Sequence, residues 1–180
     1  MTADCVYFIA GLPGLIFGAS PPFSFSDYLA KADSFILPAD KDILRNLSRG
    51  GEYICEDNLP EALKRWQIFD TALRNELAVL RAGPRRGEPA KYLRPQKEKD
   101  YDLERLAVSA YKNSSILEAE RFLDEERWRF LEGLAFGHYF DLDFLVIYGL
   151  KLLILERWER IIRADKVKIV EEILGRDSLA

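Results

Sequence analysis

The most chemically suggestive stretch of the chain is His138-Tyr139-Phe140-Asp141-Leu142-Asp143. It holds the only histidine of the 180 residues together with two carboxylates, and these are groups that bind divalent metal ions or transfer protons. One histidine is a small donor set for a transition metal, and acidic residues are also favoured in the first turn of any helix. Two interpretations therefore stay open: a turn in which Asp141 caps a helix, and a small metal-dependent enzyme that uses His138, Asp141 and Asp143.

Other motifs that would indicate catalysis are missing from the sequence. Ser114-Ser115 does not stand in a GxSxG motif, and Gly11-Leu12-Pro13-Gly14 has neither the spacing of a dinucleotide fingerprint nor the lysine and hydroxyl of a phosphate-binding loop. Carboxylates such as Asp124 alternate with arginines such as Arg127, which is typical of solvated helix faces. The sequence predicts no catalytic residue, no cofactor and no small-molecule substrate.

Composition and charge narrow the class of protein further. Hydrophobic residues make up 48% and charged residues 31%, a balance that predicts a packed core with a solvated surface. The net charge of −4 gives no electrostatic reason to expect nucleic acid as a partner. Cys5 and Cys55 are too far apart for a CxxC zinc site and too few for a disulfide framework. The apolar run from Phe144 to Leu155 is shorter than the ~20 residues that span a bilayer. The apolar start of the chain has no Lys or Arg before it and is interrupted by Pro13, so we expect no signal peptide and a cytoplasmic protein.

A basic segment interrupts this pattern between residues 81 and 99. It combines glycines, three prolines and seven basic residues against two acids, a net of +5, so the remainder of the chain carries −9. Such an asymmetry favours a solvated loop that can orient the protein on an acidic surface. The candidate partner-binding residues are Arg81, Arg85, Arg86, Lys91 and Arg94.

Polar residues within apolar helix patterns are candidates for buried ion pairs or caps rather than for catalysis. The structural polar candidates are Arg74, Glu76, His138 and Asp141.

Helical periodicity dominates the rest of the chain and predicts a mainly α fold, a compact bundle of about six helices in a single domain over residues 1–180. Val6 to Ile9 instead combine β-branched and aromatic residues, which predicts a short N-terminal extended segment or strand. Predicted N-terminal caps are Ser26, Asp40, Asn58 with Pro60 in the first turn, Ser115 in a capping box with Glu118, Asp141 and Asp165. The helices from Asp40, Asn58 and Asp165 are predicted to end at Gly50-Gly51, Gly83-Pro84 and Gly175, in that order. Another helix is predicted over Leu103 to Ala110, and the one from Asp141 runs to Ile162.

Several separated segments, taken together, resemble a bacterial domain-of-unknown-function family whose genes accompany V-type ATPase genes. The segments are Tyr7-Phe8-Ile9-Ala10-Gly11-Leu12-Pro13, Trp66-Gln67-Ile68-Phe69-Asp70, Leu73-Arg74-Asn75-Glu76-Leu77, Leu80-Arg81-Ala82, Glu118-Ala119-Glu120, Arg127-Trp128, Gly137-His138-Tyr139-Phe140-Asp141 and Leu150 to Trp158.

The resemblance implies a role beside a rotary ATPase in the bacterial cytoplasm, peripheral to the membrane through that complex. The helix around Leu73 to Leu77 is also similar to helices of the V-type ATPase C/d subunit of the central rotor, a larger helical funnel. No catalytic residue comes with either likeness. What they imply is an accessory subunit, an assembly factor or a reduced rotor adaptor that binds V-type ATPase subunits.

Overall fold

The computed structural model describes residues 3–49, 59–82, 93–94 and 101–177. These residues form seven α-helices, one 3₁₀ helix and no β-strand, which confirms the mainly α fold class. The helices are α1 (Ala3–Ala10), α2 (Phe25–Ala32), α3 (Pro38–Asn46) with the 3₁₀ helix Leu47–Arg49 after it, α4 (Glu61–Ala82), α5 (Tyr101–Tyr111), α6 (Ile116–Leu134) and α7 (Leu142–Asp177). None of the helices among these residues is both long and apolar enough to cross a membrane.

Two compact units divide the chain. The first combines Met1–Ser48 with Tyr148–Ala180, and the second is Arg49–Ile147. Helix α7 therefore begins in the second unit and continues in the first. The single domain over residues 1–180 stays a prediction.

The N-terminal segment is helical, so the predicted extended segment or strand at Val6 to Ile9 is wrong. Cys5, Phe8 and Ile9 are buried at i, i+3 and i+4, whereas Tyr7 is 77% exposed. That spacing suits one face of a helix, and a lone strand would leave its backbone groups without partners. β-propensity is a weaker determinant than these packing contacts. Burial of Cys5 also raises the pKa of its thiol.

An aromatic core holds the first unit together. Phe8 stacks on Phe35 with ring centroids 5.3 Å apart, and the fully buried Tyr28 lies 5.5 Å from the ring of Tyr148. The hydroxyl of Tyr148 donates a hydrogen bond to the carbonyl of Pro13 at 3.0 Å. Desolvation by burial raises the pKa of Tyr148 to about 12, so this hydroxyl stays a donor at neutral pH.

Gly149 lets α7 approach this core closely. A Cβ at this position would lie 3.0 Å from Cδ1 of Leu47 and 3.3 Å from the ring of Phe25. Both distances are tighter than ordinary van der Waals contact, so a larger residue would push these side chains apart. The absence of a side chain at Gly149 therefore allows the close packing of α7 on this core.

The second unit has its own apolar core between α4, α5 and α6. Leu73 is fully buried, Leu77 nearly so, and Phe69 stacks on Phe130 with centroids 4.0 Å apart. The apolar residues that recur at helical spacing along α4 thus form part of this core. The buried members of the cluster are Leu73, Leu77, Ala107, Ala110 and Leu123, with Phe69, Leu80, Leu106 and Phe122 packed against them.

Two carboxylates of α7 bind the first-turn amides of other helices. The Oδ1 atom of Asp143 accepts a hydrogen bond from the N–H of Ala62 in α4 at 2.6 Å. Within the first unit, Oε1 of Glu156 accepts one from the N–H of Phe25 in α2, also at 2.6 Å. The first amides of a helix have no partner within that helix, so these side chains satisfy groups that would otherwise need water or a local cap. Acidic side chains also suit the positive end of the helix dipole.

Several local caps differ from the predicted ones. Helix α2 is capped by Ser24 in a capping box with Asp27, not by Ser26. Helix α3 begins with Pro38 at its first position, which places the predicted cap Asp40 inside the first turn. The predicted boundaries at Gly50-Gly51, Asn58 and Gly83-Pro84 lie outside the described residues.

The cap of α6 at Ser115 is confirmed, but its predicted box is not. The Ser115 hydroxyl accepts a hydrogen bond from the N–H of Glu118 at 3.3 Å. The N–H of Ser115 donates to Oδ1 of Asn113 at 3.2 Å, so Asn113 takes the place predicted for the carboxylate of Glu118.

Helix α7 runs without a break through residues predicted to separate two helices. The predicted end at Ile162, the cap at Asp165 and the stop at Gly175 are wrong, since the helix spans Leu142–Asp177. No glycine or proline stands between Ile162 and Lys166. Arg163 pairs with Glu159 one turn earlier at 2.7 Å, which supports helix continuation.

We predict that Glu156→Ala lowers the free energy of unfolding by about 1–3 kcal/mol, because it leaves the partly buried amide of Phe25 without an acceptor. Chemical denaturation followed by circular dichroism measures this loss. Glu156→Gln keeps an acceptor and should retain most of the stability. Glu159→Ala, which removes a surface pair on the same helix, should cost less than about 1 kcal/mol. Equal losses for Glu156→Ala and Glu159→Ala would contradict the capping role.

Candidate functional site

The turn between α6 and α7 presents three aromatic side chains to solvent. Phe136 is 87% exposed, Tyr139 62% and Phe140 51%, all within five residues. Gly137 has a φ of +88°, a left-handed conformation that side-chain-bearing residues rarely adopt. The chain between α6 and α7 passes through this glycine. We call residues 135–141 the aromatic turn.

Hydrogen bonds close the aromatic turn at both ends. The N–H of His138 donates to the carbonyl of Ala135 at 3.1 Å, and Nδ1 of His138 lies 2.6 Å from Oδ2 of Asp141. The other oxygen of Asp141 accepts the N–H of Phe144 at 2.9 Å, so Asp141 caps α7 as predicted. One carboxylate therefore ties the imidazole to the start of α7.

The pKa of His138 is raised above its ordinary value. The hydrogen bond to Asp141 is the main cause, and the charges of Asp141 and Asp143 act in the same direction. Partial burial and the charge of Arg65 oppose them. A protonated imidazole donates to Asp141, so the contact is a charge-assisted hydrogen bond whenever the ring is charged.

His138, Asp141 and Asp143 also form the group that the sequence offered as a metal site. Their ligand atoms lie within 4.8 Å of one another. However, Oδ1 of Asp141 and Oδ1 of Asp143 each accept a first-turn amide, of α7 and of α4. A cation bound by both Nδ1 and Oδ2 would replace the His138–Asp141 hydrogen bond. The carboxylates are therefore already used to hold two helix starts, and Nε2 of His138 and Oδ2 of Asp143 are the atoms outside these bonds.

A second charged cluster lies inside the second unit, around Arg127. Its Nε donates to Oδ1 of Asp70 at 3.1 Å, and its Nη1 donates to Oδ1 of Asp124 at 2.8 Å. Arg74 donates from Nε to the other oxygen of Asp70 at 2.7 Å. Asp70 and Asp124 are each only 1% exposed. Burial opposes the charge of Arg127, but the two carboxylates outweigh burial and raise its pKa further.

This cluster corrects the prediction that Asp124 and Arg127 belong to a solvated face. Asp124 precedes Trp128 and Leu131 by four and seven residues, and Asp70 has the same spacing from Trp66 and Leu77. Both aspartates therefore share a face with buried apolar residues. That spacing is the feature of the sequence that could have predicted the burial of both aspartates. Glu76, in contrast, is half-buried on α4.

Two of the candidate partner-binding residues lie among the described residues. The Arg81 side chain is 61% exposed and pairs with Glu120 across 3.6 Å. Arg94 is exposed, and its backbone is bound by Asn75, a buried residue that the sequence did not single out. Arg85, Arg86 and Lys91 lie outside the described residues.

Comparison with known proteins gives one result. A family model described as "Protein of unknown function (DUF2764)" matches residues 58–176. This range contains the aromatic turn and the Arg127 cluster, but not α1 to α3. No curated protein and no solved structure matches the chain.

We predict that Arg127→Ala lowers the free energy of unfolding by about 3–5 kcal/mol, because it leaves the buried carboxylates of Asp70 and Asp124 without their shared cation. Arg129→Ala is the matched control: Arg129 lies on the same helix and pairs with exposed glutamates, so its loss should cost less than about 1 kcal/mol. Urea unfolding of both variants tests this, and similar midpoints would contradict it.

A second prediction concerns His138, whose single histidine resonance can be titrated by NMR. We expect its pKa to lie above 6.5 in the native chain and to fall in Asp141→Asn, which keeps a capping oxygen but loses the charge. Asp102→Asn, a change in an exposed residue of α5, should leave it unchanged.

The raised pKa of His138 in the folded state predicts the direction in which stability changes with pH. The contribution of His138 is fully present below the unfolded pKa and is lost as the pH rises through the folded pKa. The free energy of unfolding of the native chain should therefore decline above pH 6.5 relative to that of the Asp141→Asn variant. A native pKa at or below 6.5 would contradict the charge-assisted contact.

Proposed function

The chain belongs to the DUF2764 family, whose description assigns no function, and we propose that it is a non-catalytic protein-binding component of a bacterial V-type ATPase. The role is that of an accessory or central-stalk, C/d-like subunit or an assembly factor. The resemblance of the sequence to a family encoded beside V-type ATPase genes supplies the identity of the partner. It also supports a cytoplasmic location, peripheral to the membrane through the ATPase complex.

The aromatic turn is the observation that carries the binding role. Phe136, Tyr139 and Phe140 expose more than half of their surface. Exposed aromatic residues that become buried on association are the side chains that most often dominate binding energy. The bonds of His138 and Asp141 hold the turn before a partner arrives, so less conformational entropy is lost on binding.

The distribution of the polar groups supports a binding role over an enzymatic one. Asp141 and Asp143 accept helix amides, and Asp70 and Asp124 neutralise Arg127. These side chains bind groups of the protein itself. We therefore infer protein surfaces as partners, with no nucleic acid and no small-molecule substrate.

A metal-dependent enzyme is the second candidate. The observation in its favour is that ligand atoms of His138, Asp141 and Asp143 lie within 4.8 Å of one another. The hydrogen bonds already made by both aspartates favour the binding role over this one.

We predict that Phe136→Ser with Tyr139→Ser abolishes recovery of V-type ATPase subunits when the tagged protein is purified from its native bacterium. Loss of two exposed aromatic anchors should weaken association at least ~100-fold, while thermal stability should change little. Ile116→Ser is the matched control, because Ile116 is 83% exposed but lies outside the aromatic turn. Recovery of ATPase subunits by the double variant would contradict the role of the turn, and no recovery by the native chain would contradict the ATPase assignment.

Calorimetric titration with Mn²⁺ and Zn²⁺ separates the two candidates. We expect no stoichiometric binding to the native chain. Asp143→Asn should also keep native stability, because its amide oxygen can still accept the N–H of Ala62. Binding of one cation per chain that Asp143→Asn removes would favour the metal-dependent enzyme instead.

A further inference from the structure

Asn75 binds the backbone of a residue 19 positions away. Its Nδ2 donates to the carbonyl oxygen of Arg94 at 3.0 Å, and its Oδ1 accepts the N–H of Arg94 at 2.9 Å. These paired bonds, to the N–H and the C=O of one residue, are the ones that the facing residue of an antiparallel β-strand would make. Asn75 is 7% exposed, so the side chain that makes both bonds is buried. A buried side-chain amide thus binds both backbone polar groups of Arg94.

This contact determines where Arg94 lies on the second unit. Fixing the backbone of one residue costs about 1–2 kcal/mol of conformational entropy, and two sheltered hydrogen bonds can offset that cost. The Arg94 side chain is exposed, and Leu93 beside it is 41% exposed. One turn beyond Asn75 on the same face of α4, Val79 is also 41% exposed. The anchored arginine therefore comes with exposed apolar side chains.

The charge of the segment around Arg94 indicates what kind of partner this surface would bind. Arg94 belongs to the segment from 81 to 99, which carries +5 in a chain of net charge −4. An arginine guanidinium pairs with a carboxylate in two parallel hydrogen bonds, and the fixed backbone of Arg94 reduces the entropy lost on pairing. The complementary surface is acidic with some apolar side chains.

We propose that Asn75 is a positioning residue that fixes Arg94 as the anchor of a docking site for an acidic segment of a protein partner. The proposal deepens the proposed function and rests on it for the identity of the partner. Asn75 acts through Arg94 and does not itself contact the partner.

The test uses the full chain and a fluorescently labelled peptide of alternating glutamate and leucine as the acidic probe, with anisotropy read at low and moderate salt. Asn75→Ala keeps every charge, so a loss of affinity cannot come from net charge. We expect it to weaken probe binding by about threefold to tenfold, as misplacement of one charged contact would. Asn113→Ala, which removes another hydrogen-bonded asparagine, should bind like the native chain.

A double variant shows whether Asn75 acts through Arg94. Arg94→Gln should weaken the probe at least as much as Asn75→Ala, and adding Asn75→Ala to Arg94→Gln should cause little further loss. Equal losses of Asn75→Ala in both backgrounds would overturn the positioning role. Arg94→Gln changes an exposed side chain and keeps the backbone, so it tests the site even if Asn75→Ala fails to fold.

Other occupants give different results. Binding of a single-stranded oligonucleotide more tightly than the acidic peptide would overturn the assignment of a protein partner. Salt-sensitive self-association in sedimentation, lost in Arg94→Gln, would assign the surface to a second copy and overturn the proposal as well. If the peptide results hold but no V-type ATPase subunit is recovered from cells, the docking site stands and the ATPase assignment falls.

Discussion

The amides at the start of each helix need acceptors, and in this protein carboxylates on α7 and at its cap supply several of them. Asp141 caps α7 itself, Asp143 binds α4 in the second unit, and Glu156 binds α2 in the first. Two of these bonds join residues more than 80 positions apart in sequence. Because a helix start without partners is costly when buried, each contact stabilises the start of the helix that it binds. Asp141 also binds His138, so the aromatic turn is tied to the start of α7.

The residues that the sequence offered as a metal site also make hydrogen bonds within the fold. His138 and Asp141 join the aromatic turn to α7, and Asp143 serves α4. Inside the second unit Arg127 neutralises buried carboxylates. Among the exposed side chains are the aromatic rings of one turn and that of Arg94, whose backbone Asn75 binds. Those are features of a surface that binds other proteins.

Sequence patterns predicted the elements whose causes are local. The long helix α4, the caps at Ser115 and Asp141 and the mainly α class follow from the types and spacing of neighbouring residues. The predictions were wrong where contacts with other parts of the chain determine the structure. The N-terminal segment is helical because its buried face needs i, i+3 and i+4 contacts, and Arg127 is buried because two aspartates from α4 and α6 meet it. The peptide contact of Asn75 likewise has no local signature.

Site-specific photo-crosslinking at Tyr139 in the native bacterium tests the binding role most directly. Tyr139 is 62% exposed, so replacing it with a photoreactive phenylalanine analogue should not disturb the fold. Glu104 on α5 provides a control position away from the turn in sequence. We expect mass spectrometry to identify a V-type ATPase subunit joined to position 139 and not to position 104. A protein that folds normally but forms no crosslink to any ATPase subunit from position 139 would contradict the account.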